Sequence, residues 1–264
     1  MRLDRLNAIE NFVITNGTAS LEDITERFGI SINTVRRDVS ELIKRGNILK
    51  VYGGVTSVQS TVAHIPVIST VDRLSQNIEA KKKIGLLASS LVQDNCSIFL
   101  DSGSTTPHIL QHIASKKNIT VVTHSLNILN EASKYPSLQV VALGGVFSTA
   151  TSSFFSSSSL ETLTKSCFDM VFMAATAVSL EHGLTNSTYF EVEIKRLVTS
   201  KNQKIILMAD QSKFGKNAFF TFYDFSYLYA VVTDKRPAPE FIDTMKKNNI
   251  LLLYDQSPTN QKTQ

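Results

Sequence analysis

The stretch SINTVRRDVSELIKRGNILKVYGGV (residues 31–55) decides the fold of the first part of the chain. Ser31 is a favoured helix N-cap residue, the apolar residues after it recur at helical spacing, and Gly46 is a helix stop signal. Two short apolar runs then flank Gly53 and Gly54, as the strands of a β-hairpin flank its turn. The stretch therefore predicts a capped helix followed by a hairpin.

Upstream of this stretch, the sequence predicts two further helices. The second of them begins at Ser20, has Asp23 three residues later in a capping-box pattern, and ends at Gly29. A capped helix, a short turn and another capped helix form a helix-turn-helix, which places its second helix in the major groove of DNA. Residues 1–57 are therefore predicted to form a winged helix-turn-helix DNA-binding domain.

The helix that would enter the groove has polar and basic side chains on the side opposite its apolar residues. Asparagine can pair with adenine, arginine with guanine, and basic or hydroxyl side chains can hold phosphate. An isolated arginine pair more often marks a solvated helix face, but two caps, a short turn and a basic hairpin accompany this one and favour DNA binding. The predicted DNA-binding residues are Ser31, Asn33, Thr34, Arg36, Arg37, Ser40, Lys44, Lys50 and Tyr52.

Composition divides the rest of the chain into three parts. Residues 58–72 are rich in hydroxyl side chains and poor in charge, which predicts a linker. Residues 73–257 alternate short apolar strands with helices, as a largely parallel sheet covered on both faces does. Residues 258–264 form a polar tail. The predicted fold class is α/β, with an N-terminal winged helix-turn-helix and a C-terminal α/β domain.

The bulk properties of the chain exclude several classes of protein. No apolar run approaches the roughly 18 residues needed to span a bilayer, and the N-terminus lacks the apolar core of a signal peptide. Cys96 and Cys167 have no CxxC spacing, which argues against a disulfide framework and fits a reducing compartment. We therefore expect a cytoplasmic protein that does not contact membranes. The formal charge of +4 is too small to indicate nucleic acid by itself.

Three predicted strands of the second domain end in loops that suit a bound anion. Ligands of open α/β sheets bind at the carboxyl ends of the strands, where hydroxyls and free amides can donate to phosphate oxygens. One such loop alone is weak evidence, because many are only turns. Three loops at one edge of a sheet indicate a single pocket. Its predicted residues are Asp101, Ser102, Gly103, Ser104, Thr105, Thr106, Thr123, His124, Ser125, Gly144 and Gly145.

Residues 31–55 resemble the winged-helix signature of the DeoR family of bacterial regulators. The resemblance covers nearly the whole chain: residues 101–106 are similar to the family's Asp-x-Gly-Thr-Thr loop, and GLTNSTYFEVEIKR (residues 183–196) and ADQSKFG (residues 209–215) match downstream segments. It implies that the C-terminal domain is a sensor resembling the sugar-phosphate isomerase fold. It also implies that the effector lies near Glu191, Lys195 and Lys213.

Within the family, the segments KVYGGVTS, FMAATAVSLEHGLTNS and EVEIKR resemble the repressors of myo-inositol catabolism. The resemblance implies a repressor of a sugar or polyol catabolic operon, with inositol as one candidate. Its partners would be double-stranded operator DNA and a phosphorylated sugar or polyol catabolite as effector. Reading two half-sites requires at least a dimer, and the family implies a homo-oligomer, either dimer or tetramer. No cofactor and no metal are expected.

Three residues depart from the family pattern. His124 stands where the family has asparagine, Ser148 where relatives often carry a basic residue, and Ser156 where they often have glycine. Fewer cations would weaken a charge-assisted grip on phosphate or carboxylate. The pocket could therefore accept a different ligand or none, and the second domain would then serve only to form oligomers of a ligand-independent DNA-binding protein.

An enzymatic interpretation also stays open at this point. Asp101, Glu191 and Lys213 could serve as acid, base and electrophile of a sugar-phosphate isomerase with an appended helical domain. The attached DNA-binding domain makes a sensor the simpler explanation. Glu191 and Lys195 stand four residues apart and could instead form only a surface ion pair.

Two smaller features have local interpretations. His108 and His112 stand four residues apart on one predicted helix, as a metal-binding pair would, but no third ligand is evident and a solvated helix face is favoured. The run SSFFSSSS (residues 152–159) is interpreted as a flexible loop that could cover the pocket.

Overall fold

The computed structural model describes residues 2–16, 18–51, 54–57, 70–201 and 204–256. Tyr52, Gly53, most of the predicted linker and the polar tail lie outside these residues. In the described part, the predicted helix-turn-helix and hairpin are present. Their elements are α1 Arg2–Asn16, β1 Thr18–Ser20, α2 Leu21–Phe28, α3 Ile32–Arg45, β2 Ile48–Val51 and β3 Gly54–Ser57.

The three N-terminal helices enclose a small apolar core. Ile9 of α1, Ile24 of α2 and Leu42 of α3 are fully buried in it. The predicted cap at Ser20 is present as a capping box, and Gly29 ends α2 in the left-handed conformation that glycine adopts without strain. These local signals explain why the short helices begin and end where the sequence predicts.

The hairpin forms part of a three-stranded sheet. Its order is β1–β3–β2, and the short strand β1 was missed in the sequence. A β-carbon at Gly54 would lie 2.3 Å from the carbonyl oxygen of Ala19, so β1 can approach β3 only because residue 54 is glycine. Three residues are too few to show an alternating pattern, which is why β1 escaped prediction.

The second part of the chain alternates strands and helices, as predicted. Its longer elements are α4 Thr70–Leu74, α5 Ile78–Ser89, β4 Ser97–Leu100, α6 Leu110–Ile113, β5 Thr120–Thr123, α7 Leu126–Ala132, β6 Gln139–Ala142, β7 Val146–Ser148, β8 Ser153–Phe155, α8 Ser157–Thr164, β9 Met170–Met173, β10 Ala177–Ser179, β11 Gly183–Asn186, α9 Tyr189–Lys201, β12 Ile205–Met208, β13 Phe220–Tyr223, β14 Ala230–Thr233, α10 Pro239–Lys247 and β15 Leu251–Tyr254. Short 3₁₀ turns occupy Thr106–Ile109, Gln211–Lys213 and Phe225–Tyr227.

Seven of these strands form one parallel sheet in the order β15–β14–β12–β9–β4–β5–β6. Alternate residues of the central strand β4 belong to different apolar clusters: Phe99 packs in one, and Ile98 and Leu100 pack in the other. Both faces of the sheet are therefore covered, which confirms the predicted α/β class. Because neighbouring parallel strands end at one edge, the loops after β4, β5 and β9 come together there.

The structure corrects two expectations. The run at residues 152–159 is not an irregular loop: Ser153–Phe155 pairs with Val146–Ser148, and Ser156 caps α8 by accepting a hydrogen bond of 3.0 Å from the Ser159 amide. Serine is a favoured N-cap residue, so its repetition here marks a helix start. The small antiparallel sheet β10–β11–β13 was also missed, because its strands are short and two of them are wholly or largely buried.

Gly85 of α5 lies against the backbone of the 3₁₀ turn that follows the Asp101 loop. A β-carbon there would lie 2.4 Å from the carbonyl oxygen of His108. We expect Gly85→Ala to lower the free energy of unfolding by about 1–3 kcal/mol, the usual range for overpacking. Calorimetric unfolding measures this. The control Leu86→Ala changes an exposed neighbour and should alter stability little, whereas a stabilised Gly85→Ala protein would contradict the close contact.

Candidate functional site

The predicted DNA-reading face of α3 is exposed. Val35, Val39 and Leu42 are buried, which turns Asn33, Arg36, Arg37, Ser40 and Lys44 outward. In the described part of the chain, neither Arg36 nor Arg37 pairs with another side chain. Lys50 on β2 is exposed as well, and Tyr52 lies outside the described residues.

Other basic residues of the N-terminal domain are held in pairs. Arg5 of α1 donates to both carboxylate oxygens of the buried Asp38, at 2.7 and 3.3 Å, and this pairing raises the pKa of Arg5. Arg2 pairs with Glu41 at 2.5 Å. Both contacts join α1 to α3 on the side away from Arg36. They orient α3 and leave the cations of its outer face available to phosphate or bases.

Two predicted DNA-binding residues also have local roles. The Ser31 hydroxyl accepts a hydrogen bond of 3.3 Å from the Thr34 amide and so caps α3. The Ser40 hydroxyl donates to the Arg36 carbonyl at 2.7 Å. Ser31 therefore starts the helix at the end where groove contacts are expected.

In the second domain, Asp101 follows β4 directly and is fully buried. One carboxylate oxygen, Oδ2, accepts hydrogen bonds from the Ala174 amide at 3.0 Å and from the Lys195 ammonium. Lys195 also donates to the Ala174 carbonyl at 2.9 Å and lies 5.1 Å from the centre of the Phe222 ring. This ion pair joins the loop after β4 to α9 and to the end of β9.

Glu191, one turn before Lys195 on α9, does not pair with it. Its Oε1 accepts from the Ser102 hydroxyl at 2.7 Å, and its Oε2 accepts from Asn186 at 2.8 Å and Thr188 at 2.7 Å. Both Glu191 and Lys195 are buried, so the surface ion pair considered from the sequence is excluded. Asn186 and Thr188 were missed, although both stand in the matched segment at residues 183–196.

Three buried polar atoms of this cluster have no hydrogen-bond partner among the described residues: Asp101 Oδ1 and both ring nitrogens of His124. His124 stacks on Phe99, with the ring centres 5.8 Å apart. Burial lowers the pKa of His124. The negative charges of Asp101 and Glu191 oppose this shift and offset it only in part. The ring is therefore neutral at pH 7, with one nitrogen that donates and one that accepts.

The rest of the Asp101 loop is held by its own side chains. The Thr106 hydroxyl contacts the carbonyl oxygens of Asp101 and Gly103, at 2.6 and 3.0 Å. A β-carbon at Gly103 would lie 2.1 Å from the β-carbon of Ala174, so only glycine fits against β9. Ser104 and Thr105 are buried beside it.

The other two predicted loops differ in role. The Thr123 hydroxyl donates to the Leu100 carbonyl at 2.8 Å, and the Ser125 hydroxyl caps α7. Gly145 packs against the Phe155 backbone, and the Gly144 carbonyl accepts from the Ser159 hydroxyl at 2.6 Å. The glycine pair therefore supports the β7–β8 hairpin, whereas residues 123–125 lie beside Asp101.

A group of cations that the sequence analysis did not single out adjoins Lys213. Burial lowers the pKa of Lys81 to about 8, against the opposing effect of Asp210, and burial also lowers the pKa of Lys213. Lys81 donates to the Arg73 carbonyl, and the Nε atom of Arg73 has no partner in the described part of the chain. Lys81 and Lys213 thus share a nearby carboxylate, Asp210, and Arg73 adds a third positive charge close to both. Lys81 was missed because it stands in a run of three lysines, and such a run predicts a solvated helix face.

A cavity of about 510 Å³ lies between the β7–β8 hairpin and the start of α9. Phe147, Ser148 and Phe154 line one side, and Thr188 and Glu191 line the other. The hairpin is tied to the cluster by the Phe154 amide, which donates to the His124 carbonyl at 2.9 Å. Ser148 stands where relatives often carry a basic residue, and it lies in the wall of this cavity. The wall therefore has no cation at that position.

The described residues form neither a metal site nor a membrane span. No three His, Cys, Asp or Glu side chains among them gather as metal ligands, and His112 contacts Gln111 instead. Of the helices in the described ranges, none is long and apolar enough to cross a bilayer.

Two family models match the chain, one on each part. A DeoR-like helix-turn-helix domain matches residues 5–61, and a DeoR C terminal sensor domain matches residues 76–235. The HTH-type transcriptional regulator IolR of Bacillus subtilis (strain 168) is 36% identical over 250 residues, which cover 95% of this chain and 98% of that protein. The glycerol-3-phosphate regulon repressor of Escherichia coli (strain K12) is 26% identical, over 94% of this chain and 97% of that protein.

Among solved structures, ribose 5-phosphate isomerase from Plasmodium falciparum is similar over 52% of this chain and 53% of its own, with a TM-score of 0.38 and 21% identity. The fold assignment rests on the elements described above and not on this likeness. The matched relatives are transcriptional regulators and not enzymes. An exposed helix-turn-helix face, a buried polar cluster in a separate α/β domain and matches to both family models lead to one conclusion. The chain belongs to the DeoR family of transcriptional regulators and is a DNA-binding repressor with a C-terminal sensor domain.

Proposed function

We propose that this repressor controls a sugar or polyol catabolic operon and releases its operator when a phosphorylated catabolite binds the sensor domain. The proposal rests on three buried polar atoms, at Asp101 and His124, that have no hydrogen-bond partner in the described part of the chain. Leaving a buried donor or acceptor without a partner costs about 1–3 kcal/mol, so these atoms need a partner from outside the chain, and we propose that the effector supplies it. The helix-turn-helix and the repressor relatives support the other part of the proposal, which is operator binding.

The hydroxyl-bearing end of the effector would meet Asp101 and His124. A neutral imidazole and a carboxylate oxygen together offer one donor and two acceptors. Each sugar or polyol hydroxyl can donate and accept, so two adjacent hydroxyls match this set. Glu191 is already satisfied by three donors, which supports a positioning role for it over proton transfer.

The phosphate end of the effector would meet the hydroxyls of Ser104 and Thr105 and the cations Lys81 and Lys213. Charge-assisted hydrogen bonds from ammonium groups are the stronger kind of contact to phosphate. The charge of Asp210 acts on both lysines, and a second anion would further relieve their mutual repulsion. Lys81 also lies near His108, in the 3₁₀ turn that follows the Asp101 loop. Burial and the positive charge of Lys81 both lower the pKa of His108.

The relatives support the class of effector. The glycerol-3-phosphate regulon repressor is named for a phosphorylated polyol. The segments KVYGGVTS, FMAATAVSLEHGLTNS and EVEIKR of this chain resemble the repressors of myo-inositol catabolism. We therefore propose a phosphorylated intermediate of inositol catabolism as the first candidate. The predicted domain limits (1–57, 58–72, 73–257 and 258–264), the cytoplasmic location and a homo-oligomeric state, dimer or tetramer, belong to the same proposal.

Removal of two cations from the outer face of α3 should abolish operator binding. We expect the double variant Arg36→Ala and Arg37→Ala to bind at least about 30-fold more weakly, because each base or phosphate contact contributes about 1–3 kcal/mol. Gel-shift titration at fixed salt measures this. The control Lys134→Ala and Lys165→Ala removes the same charge from the sensor domain and should bind normally. Equal weakening in both variants would show that the loss of binding comes from the change in net charge and not from contacts of α3.

Replacement of the buried imidazole should weaken binding of the effector and leave binding of the operator unchanged. His124→Phe keeps the ring that stacks on Phe99 and removes both partnerless nitrogens. Two lost hydrogen bonds of about 0.5–1.5 kcal/mol each predict a roughly 5- to 150-fold fall in affinity. Calorimetric titration with inositol monophosphates, glycerol 3-phosphate and common sugar phosphates measures it. The half-buried His112, which lies outside this cluster, gives the control His112→Phe, and unchanged affinity in His124→Phe would remove His124 from the site.

Effector affinity should fall with rising pH. Lys81 is charged below its pKa of about 8 and loses its charge above it, while a phosphate monoester stays a dianion throughout. Binding that requires the ammonium form should weaken roughly tenfold between pH 7 and pH 9. Lys81→Met should bind more weakly and show no such slope. A flat profile in the wild type would place the phosphate away from Lys81.

A further inference from the structure

One long stretch of the sensor domain has no charged side chain of its own. No charged residue stands between Lys134 and Glu161, although 19% of the chain is charged. This stretch contains β6, the Gly144-Gly145 turn and the β7–β8 hairpin, and we call it the uncharged surface (residues 135–160). A surface that faces only water normally carries interspersed charges. The absence of charged residues over so long a stretch therefore indicates a surface that a partner covers.

The strand β6 is an unprotected edge of the seven-stranded sheet. Among the described strands it pairs only with β5, and its residues Gln139, Val141 and Ala142 are exposed. Proteins usually blunt such an edge with charged residues, proline or a bulge, because its free amides and carbonyls can pair with another strand. The opposite edge, β15, is followed by Asp255, which pairs with Lys83 at 2.6 Å. The edge at β6 has no charged side chain of its own.

Apolar side chains are exposed next to this edge. Val141 is 41% exposed, Val146 is 79% exposed and Phe147 is 40% exposed. Phe190 at the start of α9 is also exposed, and its ring centre lies 5.0 Å from that of Phe155 in the hairpin. Together these residues extend the uncharged surface into an apolar patch.

We infer that this surface is the contact between two copies of the chain. A standard interface uses about 20–30 residues per side, and the uncharged surface has about 20 residues whose side chains are exposed or half-buried. A second copy related by a two-fold axis would bring β6 beside its own equivalent, and antiparallel pairing would satisfy the free backbone groups of both. Two-fold symmetry is also what a helix-turn-helix needs to contact two half-sites.

The same hairpin connects this contact to the effector site. It lines the 510 Å³ cavity that reaches Glu191, and the Leu126 amide, just after residues 123–125, donates to the Ser152 carbonyl at 2.9 Å. An effector at His124 and a second copy at β6 and β7 would therefore contact the two sides of one short hairpin. The inference rests on the homo-oligomer of the proposed function and adds where it forms.

Lysine on the uncharged surface should separate the copies. We expect the wild-type chain of 29.2 kDa to run at two or more times that mass in light scattering after gel filtration, and the Val141→Lys and Val146→Lys double variant to run at half the wild-type mass or less. The matched control, Leu86→Lys and Leu251→Lys, places two lysines at positions exposed by 56% and 42%, on α5 and on the opposite edge. It should keep the wild-type mass.

Hydrogen exchange on the wild type tests the same surface without a variant. Amides of residues 139–142 should exchange at least tenfold more slowly in the oligomer than after dilution to the monomer, because pairing protects edge amides. A monomeric wild type would overturn both the oligomer and the surface. An oligomer that survives the lysine variant, or one that the control also breaks, would overturn the surface alone and leave effector-controlled operator release intact.

Discussion

The sensor domain depends on one buried ion pair, between Asp101 at the end of β4 and Lys195 on α9. A buried carboxylate is tolerated only when it is paired and hydrogen-bonded, and here Lys195 and the Ala174 amide meet one oxygen of Asp101. The other oxygen has no hydrogen-bond partner among the described residues. The pair thus holds three elements together, and we propose that the second oxygen accepts a hydrogen bond from the effector.

The DNA-binding domain applies the same principle at α3. Arg5 pairs with the buried Asp38 and so fixes the helix against α1, while Arg36 and Arg37 on the opposite side stay unpaired within the described residues. Charges that hold the fold are thereby separated from charges that can contact DNA. In the sensor domain, one oxygen of Asp101 is bound by Lys195 and the Ala174 amide, and the other is the one that we propose for the effector.

Local chemistry made much of this predictable. The outward position of Arg36 follows from helical spacing, and the Asp101 loop follows from a strand that ends in small polar residues. Lys81 escaped because burial of one lysine in a run of three is set by packing that the run does not reveal. The partners of Glu191 escaped for a related reason: hydrogen bonds to residues far along the chain, such as Ser102, require the tertiary fold. The β7–β8 hairpin escaped because its serine-rich composition is also that of a loop.

We propose that one chain both binds an operator and releases it on binding a phosphorylated polyol or sugar. Fluorescence anisotropy of labelled DNA from upstream of the chain's own gene, at fixed salt, tests it most directly. Inositol-pathway phosphates and common sugar phosphates would be titrated into the complex. We expect at least one compound to release the DNA and to be recovered unchanged afterwards. Tight binding that no compound alters, or consumption of the compound, would contradict it.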